Sequence, residues 1–250
     1  MSGPADTDVE LNALGQPVGR VVPGWRPPSA PTAAALAGGL RGRYCRLEPL
    51  RPEHADDLFA ADARDTDGAS WTYLPYGPWP DLPTYRAWVD GAAASTDPLF
   101  LAVVDTAGAG PVGVASYLRI HPDAGSVEVG HLHYSPLLQR RTAATEAQYL
   151  LMRHAVETLG YRRYEWKCDA LNAPSRAAAE RLGFTYEGTF RQGAVVKGRN
   201  RDTAWFAVVD ADWPALRAGF EAWLDPANFP DGPTGRPRRS LAACRARPDA

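Results

Sequence analysis

The chain has 250 residues, 45% of them apolar and 22% charged, with a formal charge of −2; this suffices for one sizeable core and excludes a global field that would favour nucleic acid or acidic membranes. Three scattered cysteines, Cys45, Cys168 and Cys244, form no C-x-x-C pair, which argues against a disulfide framework or a structural zinc site. No apolar run reaches the roughly 18–20 residues of a membrane span, and the start shows no basic stretch followed by an apolar one, so the expected compartment is the cytoplasm.

Residues 1–40, rich in Pro, Gly and Ala, read as an extended arm, and residues 226–250 as a flexible, solvated tail; residues 41–225 between them are expected to form one domain. In chain order the spacing predicts a strand over 43–50, a helix after it, and a second helix over 83–95. Strands at 99–104, 111–118 and 126–134, joined by turn-rich links, predict an antiparallel meander. Helical spacing then takes over at Ala144, Ala147, Leu151, Ala155 and Leu159, with Gly160 as the stop. Residues 162–168 alternate, Tyr164, Trp166 and Cys168 on one face and Arg163, Glu165 and Lys167 on the other. A helix opens at Asn172 and ends at Gly183; strands at 184–190 and 203–209 and a helix over 212–224 follow. Strand, helix, strand implies parallel neighbours. The fold class is therefore α/β (α+β): a mixed, mostly antiparallel sheet flanked by helices.

The strand ending at Tyr134 leads into "SPLLQRRTAAT". The first N–H groups of a helix have no partners within it and sit at the positive end of its dipole, so an anion is a natural guest. Arg140 and Arg141 would add forked contacts to phosphate. The plain alternative is a helix start with Thr142 as N-cap and two solvated arginines.

Residues 43–224 resemble the GNAT acyltransferase superfamily, and most of all its branch that acetylates the N-terminal amines of ribosomal proteins. Gln139-Arg140-Arg141-Thr142-Ala143-Ala144 matches the first and last positions of the superfamily's Q/R-x-x-G-x-G/A pyrophosphate motif. Thr142 stands where the motif has its first glycine; its Cβ would keep the backbone farther from a pyrophosphate, while its hydroxyl offers a hydrogen bond. "VEVGHLHYSP", "ATEA" and "DALNAPSRAAAERLGF" resemble, in order, the strand before the motif, the start of the cofactor helix and a segment that contacts the pantetheine arm.

The resemblance implies acetyl transfer from acetyl-coenzyme A, without a metal, to a small-molecule or peptide amine, in a fold whose parallel strand pair splays apart. It implies cofactor contacts at Leu132, His133, Tyr134, Gln139, Arg140, Arg141, Thr142, Ala143, Ala144, Thr145, Asn172 and Ser175. A monomer or homodimer acting on neither nucleic acid nor membrane is expected. A strand bulge near Gly130 would free N–H donors at His131 to His133. Glu128 is the leading proton acceptor; His131 and His133 are alternatives, His133 the one carried forward, and as a metal pair they lack a third ligand. Many relatives have a tyrosine acid where this chain has Ala179; Ser116 and Tyr117 are the substitutes considered. Cys168 reads as a buried strand cysteine rather than a nucleophile.

The loop "SWTYLPYGPWPDLPTYRAW" supplies Trp71, Tyr73, Tyr76 and Trp79 as an acceptor wall of rigid aromatics. "VVKGRNRDTAW" is a charged hairpin turn in which Arg199, Asn200, Arg201 and Asp202 either border the acceptor or keep the turn wet. "GAGPVG" fits G-x-G-x-x-G but is followed by a strand, not a helix, which rejects a dinucleotide site. The rival from another class is a catalytically silent acyl-coenzyme A sensor.

Overall fold

The computed structural model describes residues 9–108 and 110–245. A small hairpin, β1 (Val9–Leu11) and β2 (Pro17–Gly19), comes first. The remaining strands are β3 (Leu40–Arg41), β4 (Cys45–Pro49), β5 (Leu99–Asp105), β6 (Pro111–His121), β7 (Ser126–Tyr134), β8 (Arg163–Asp169), β9 (Thr185–Val196) and β10 (Arg199–Val209). They form one eight-stranded sheet in the order β3-β4-β5-β6-β7-β8-β10-β9. Every pairing is antiparallel except β7 with β8, the pair joined by the crossover that the sequence pattern requires.

The helices are α1 (Ala55–Asp62), α2 (Leu82–Ala94), α3 (Thr142–Arg153), α4 (Ala173–Leu182), α5 (Trp213–Leu224) and α6 (Leu241–Arg245). α3 starts two residues before the first apolar spacing and ends in one π-turn, His154–Leu159. Gly160 and Gly183 close α3's crossover and α4 at φ 85° and 100°, the left-handed cap that the repeated Leu-Gly-aromatic pattern predicts. One core lies on the α3 face of the sheet, around Leu101, Val127, Val129, Leu151, Tyr164 and Phe220. A second, aromatic core holds α1 and α2 on the opposite face, around Leu58, Trp71, Tyr85 and Phe100.

Two expectations need correction. Strands β9 and β10 run on to Val196 and Arg199, because Lys197 (φ 48°) and Gly198 (φ 73°) make a two-residue turn with both angles positive, the geometry a tight hairpin prefers. The segment 226–245, expected in solvent, lies on the domain instead. Phe229 packs edge-on against Trp223 at 5.0 Å, Leu241 is buried, and the Asn228 amide donates to the carbonyls of Trp223 and Arg239 at 3.0 and 3.2 Å. Two apolar anchors among prolines and glycines are enough to bind a chain whose composition alone predicts exposure. At the other end, Leu36 is buried in the main core and Trp25 lies under the Arg162 guanidinium. Residues 1–8 of the arm and 246–250 of the tail lie outside the described residues.

Candidate active site

β7 and β8 pair from Ser126↔Arg163 to Val129↔Trp166 and no further. Along its other edge β7 meets β6 at Gly130↔Ser116 and next at His133↔Val114, so three steps on β7 match two on β6. This is a β-bulge at His131 and Leu132, with His131 at φ 47°. Among the described residues, neither His131 nor Leu132 has a register partner on either neighbouring strand. The extra residue also reverses the alternation. Val127 and Val129 point into the α3-side core; past the bulge, Leu132 and Tyr134 do so, and Gln148 on α3 donates to the Tyr134 hydroxyl at 2.6 Å.

Where the two strands part, a cavity of about 320 Å3 opens. Leu132, Trp166 and Cys168 line it from the α3 face, with Asn172 and Ser175 at the start of α4. Glu128, Lys167 and Arg201 line it from the other face; the register Trp205↔Lys167 and Thr203↔Asp169 puts Arg201, two residues on, with Lys167. One cavity thus has walls from both faces and passes through the sheet. Asn172 caps α4 by accepting from the Ser175 N–H at 3.1 Å, and the Trp166 indole donates to the Ser175 hydroxyl at 3.0 Å.

Glu128 is 3% exposed and sits between two cations: Arg119 reaches Oε1 at 2.7 Å and Lys167 Nζ reaches Oε2 at 2.9 Å. Lys167 also contacts Glu165 at 2.8 Å and lies 3.7 Å over the Trp205 ring. Paired charges of this kind are the form in which buried ions are tolerated.

The histidines go elsewhere. The His131 ring stacks on Tyr76, whose hydroxyl is 3.0 Å from Nδ1; burial first, then the charges of Arg119 and Arg201, lower its pKa to about 4. It is a neutral wall of the cavity. The His133 side chain lies outside the cavity, stacked on Trp71 at 3.5 Å, with Nε2 2.8 Å from the Ser70 hydroxyl and Nδ1 3.4 Å from Asp62 Oδ1. Ser70 donates its proton to the Asp65 carboxylate, so Nε2 must be the donor to Ser70. The bare Nδ1 then faces Asp62, whose pKa burial raises to about 7, while burial lowers that of His133 to about 4. Burial thus favours the proton on Asp62 over His133. This arrangement removes His133 as a proton acceptor in the cavity.

Of the aromatic loop, Tyr73 lines the cavity with Leu74 and Pro75. Trp71, Tyr76 and Trp79 do not; they pack into the aromatic core with Tyr85 and Trp88, because large rings next to an apolar helix pair bury more surface there than at a mouth. Lys197, from the hairpin turn, donates to the carbonyls of Trp71 and Gly77 at 2.8 Å each and ties the β9–β10 hairpin to this loop. Asp202 accepts from the Gln192 N–H and the Asn200 amide and keeps the turn, whereas Arg201 faces inward.

At the start of α3 the N-cap is Arg141, not Thr142, and no side chain caps the helix; its first turn carries no acidic residue. Thr142 is 4% exposed and donates its hydroxyl to the Pro233 carbonyl at 2.5 Å. The alternatives for its side chain thus resolve into a third: it holds the C-terminal segment. Arg140 sits at φ 61°, exposed beside Gln139, whose amide donates to the Tyr134 carbonyl at 2.7 Å. Glu146, within "ATEA", is buried and accepts from the N–H groups of Arg43, Tyr44 and Cys45 at 2.6–2.8 Å, so its role is to clamp α3 to β4.

The profile described as "Acetyltransferase (GNAT) domain" matches residues 45–185. The chain belongs to the GNAT acetyltransferase family. A GCN5-related N-acetyltransferase from Brucella melitensis is 45% identical over 90% of this chain and 99% of its own, with a TM-score of 0.85. A GNAT-family protein from Chromobacterium violaceum is 39% identical over 80% and 98%, TM-score 0.72. The ribosomal L7/L12 alpha-N-protein acetyltransferase RimL shares the fold at 20% identity over 67% and 91%, TM-score 0.58. No curated protein sequence matches this chain.

Within this GNAT protein, sequence reasoning missed Arg119, Lys167 and Ser70 as cavity residues. Lys167 carried a signal: it is one of only two lysines and alternates onto the face opposite Trp166 and Cys168. Ser116 and Tyr117 are occupied, their hydroxyls donating to the carbonyls of Gly130 and Leu151. Among the described residues no group of three His, Cys, Asp or Glu side chains is placed to hold a metal ion.

Proposed function

We propose that this GNAT protein transfers an acetyl group from acetyl-coenzyme A to an amine, with both bound at once on opposite sides of the β7–β8 opening. One observation carries the reading: a cavity lined from both faces of the sheet where β7 and β8 part, with a paired, buried carboxylate on one face. The start of α3 would suit a diphosphate, since no side chain caps the helix, so that the first amides, Thr142 and Ala143, have no side-chain partner, and Arg140 and Arg141 flank them. Leu132, Asn172 and Ser175 would line the pantetheine arm. When bound, acetyl-coenzyme A supplies the acyl group and its thiol leaving group.

Glu128 takes the proton that an ammonium acceptor must lose before it can attack, directly or through water. Arg119 and Lys167 fix that carboxylate in the opening. The unpartnered bulge at His131 and Leu132 offers backbone donors where negative charge develops on oxygen; removing one such donor elsewhere costs about 2.7–4 kcal/mol. Burial raises the Cys168 thiol, which keeps it protonated and favours direct attack over a covalent relay. The acceptor class spans small amines and peptide N-termini, the latter being what RimL's description names for that protein.

The test is release of free thiol from acetyl-coenzyme A across a panel of amines, with calorimetric titration of the coenzyme alongside. Saturable binding with amine-dependent thiol release is expected. Binding without release for every amine would make the protein a silent acyl-coenzyme A binder, and no binding at all would remove the donor.

A further inference from the structure

Five charged side chains line the cavity: Arg119, Glu128, Lys167, Asp169 and Arg201. Arg119 and Lys167 are used up on Glu128 and Glu165. Arg201 is not. Among the described residues its guanidinium has no carboxylate within ion-pair distance and no hydrogen-bond acceptor, and its Nε is buried from solvent without a partner. A buried donor on a charged group left unmade is expensive, and a guanidinium is a fork shaped for a carboxylate. Its position is rigid: Arg201 pairs with Ala194 across the hairpin, and Lys197 fastens that hairpin to the loop at Trp71 and Gly77. It stands on the Glu128 face of the sheet, opposite Asn172 and Ser175. Asp169 also lines the cavity; it spends Oδ1 on the Leu171 N–H and has no cation within ion-pair distance among the described residues. The acceptor end therefore presents one unmatched guanidinium and one unmatched carboxylate, a pair that suits a zwitterion better than a simple amine.

We infer that Arg201 is the specificity residue for the acceptor, and that the acceptor is an amine that also carries a carboxylate, bound by the Arg201 fork while its amine faces Glu128. This rests on the acetyl-transfer reading for the amine; the carboxylate contact does not depend on turnover. The carboxylate belongs either to a free amino acid or to an acidic side chain near a peptide's N-terminus.

Thiol release is measured with glycine, alanine and glutamate against their carboxamides, and with C-terminally amidated Ser-Asp against Ser-Asn peptides. Wild type should favour the carboxylate member of at least one set by roughly 10- to 100-fold in kcat/KM, which also tells the two sources apart. In Arg201→Gln that ratio should collapse towards one, and in Arg201→Lys, which keeps the charge but not the fork, it should fall between. No preference for carboxylate in wild type, or an unchanged ratio in Arg201→Gln, overturns the inference while leaving acetyl transfer intact. If no amine is acetylated, calorimetry with N-acetylglycine and N-acetylglycinamide decides. Carboxylate-dependent binding lost in Arg201→Gln supports the inference; equal binding of both compounds, binding unaffected by the substitution, or no binding to wild type overturns it. Melting temperatures of both variants within a few degrees of wild type establish that each is folded.

Discussion

On the α3 side of the β7–β8 opening the wall is Leu132, Trp166, Cys168, Asn172 and Ser175, nearly all from one strand–helix unit. On the other side it is Arg119, Glu128, Lys167 and Arg201, each from a different strand. The first wall is assembled by local rules: alternation along β8, an Asn cap, a glycine stop. The second exists only once β6, β7, β8 and β10 have paired, and its charges hold one another. The difference teaches that an apolar and hydrogen-bonding wall can be written locally, while a wall of paired charges is written across the sheet.

Removing Glu128 breaks the charged side most directly. Glu128→Gln keeps the shape, removes the proposed proton acceptor and takes the ionic partner from Arg119, while Lys167 keeps Glu165. Transfer at neutral pH should fall by roughly 10²–10⁴-fold with coenzyme A affinity unchanged on the calorimeter; an unaltered pH–rate profile would take Glu128 out of the mechanism.

The same contrast marks how much was legible. The sheet class, the parallel crossover, both glycine caps and Asn172 as the cap of α4 follow from periodicity and turn chemistry, which act over a few residues; Ser175 is marked by the family resemblance alone. The bulge does not. One inserted residue at His131 turns Leu132 and Tyr134 towards α3 and His133 towards Asp62, and a period-two reading has no means to see that exchange. Trp71 and Trp79 were misplaced for a related reason: an aromatic loop reads the same whether its rings line a mouth or fill a core. Thr142 was legible as unusual, but its partner, Pro233, lies in a segment whose composition argues for solvent.

On the α3 side the corresponding weak point is Glu146. Three backbone N–H groups depend on its carboxylate, and Glu146→Ala would leave those of Tyr44 and Cys45 buried without an acceptor. A loss of roughly 3 kcal/mol in denaturant unfolding is expected. A change below about 0.5 kcal/mol would mean that water replaces the clamp and that α3 is held by packing alone.

The pyrophosphate side should respond to charge without touching chemistry. Arg140→Ala with Arg141→Ala should weaken coenzyme A about tenfold, or about 1.4 kcal/mol, and leave binding of the dephosphorylated pantetheine fragment as it was. Equal losses for both ligands would move the phosphates away from α3.

The finest distinction lies behind the charged wall, in the Asp62–His133 pair. Unfolded, between about pH 4 and 6.5 the aspartate is ionised and the histidine protonated: one proton in all. Folded, with Asp62 titrating near 7 and His133 near 4, the pair again binds one proton, now on Asp62. Equal proton counts mean no slope of stability with pH from this pair. Each single substitution uncovers the other's share. In Asp62→Asn the unfolded His133 binds a proton that the folded one does not, so stability should rise as pH goes from 4 to 6.5. In His133→Asn the folded Asp62 holds a proton that the unfolded one has lost, so stability should fall as pH goes from 4 to 7. Slopes of opposite sign, each about 1.4 kcal/mol per pH unit at most, would be read from urea midpoints across that range with wild type as the flat reference. Parallel slopes in the two variants would mean that the proton does not move between them on folding, and that Ser70 and Asp65 set the charge of His133 instead.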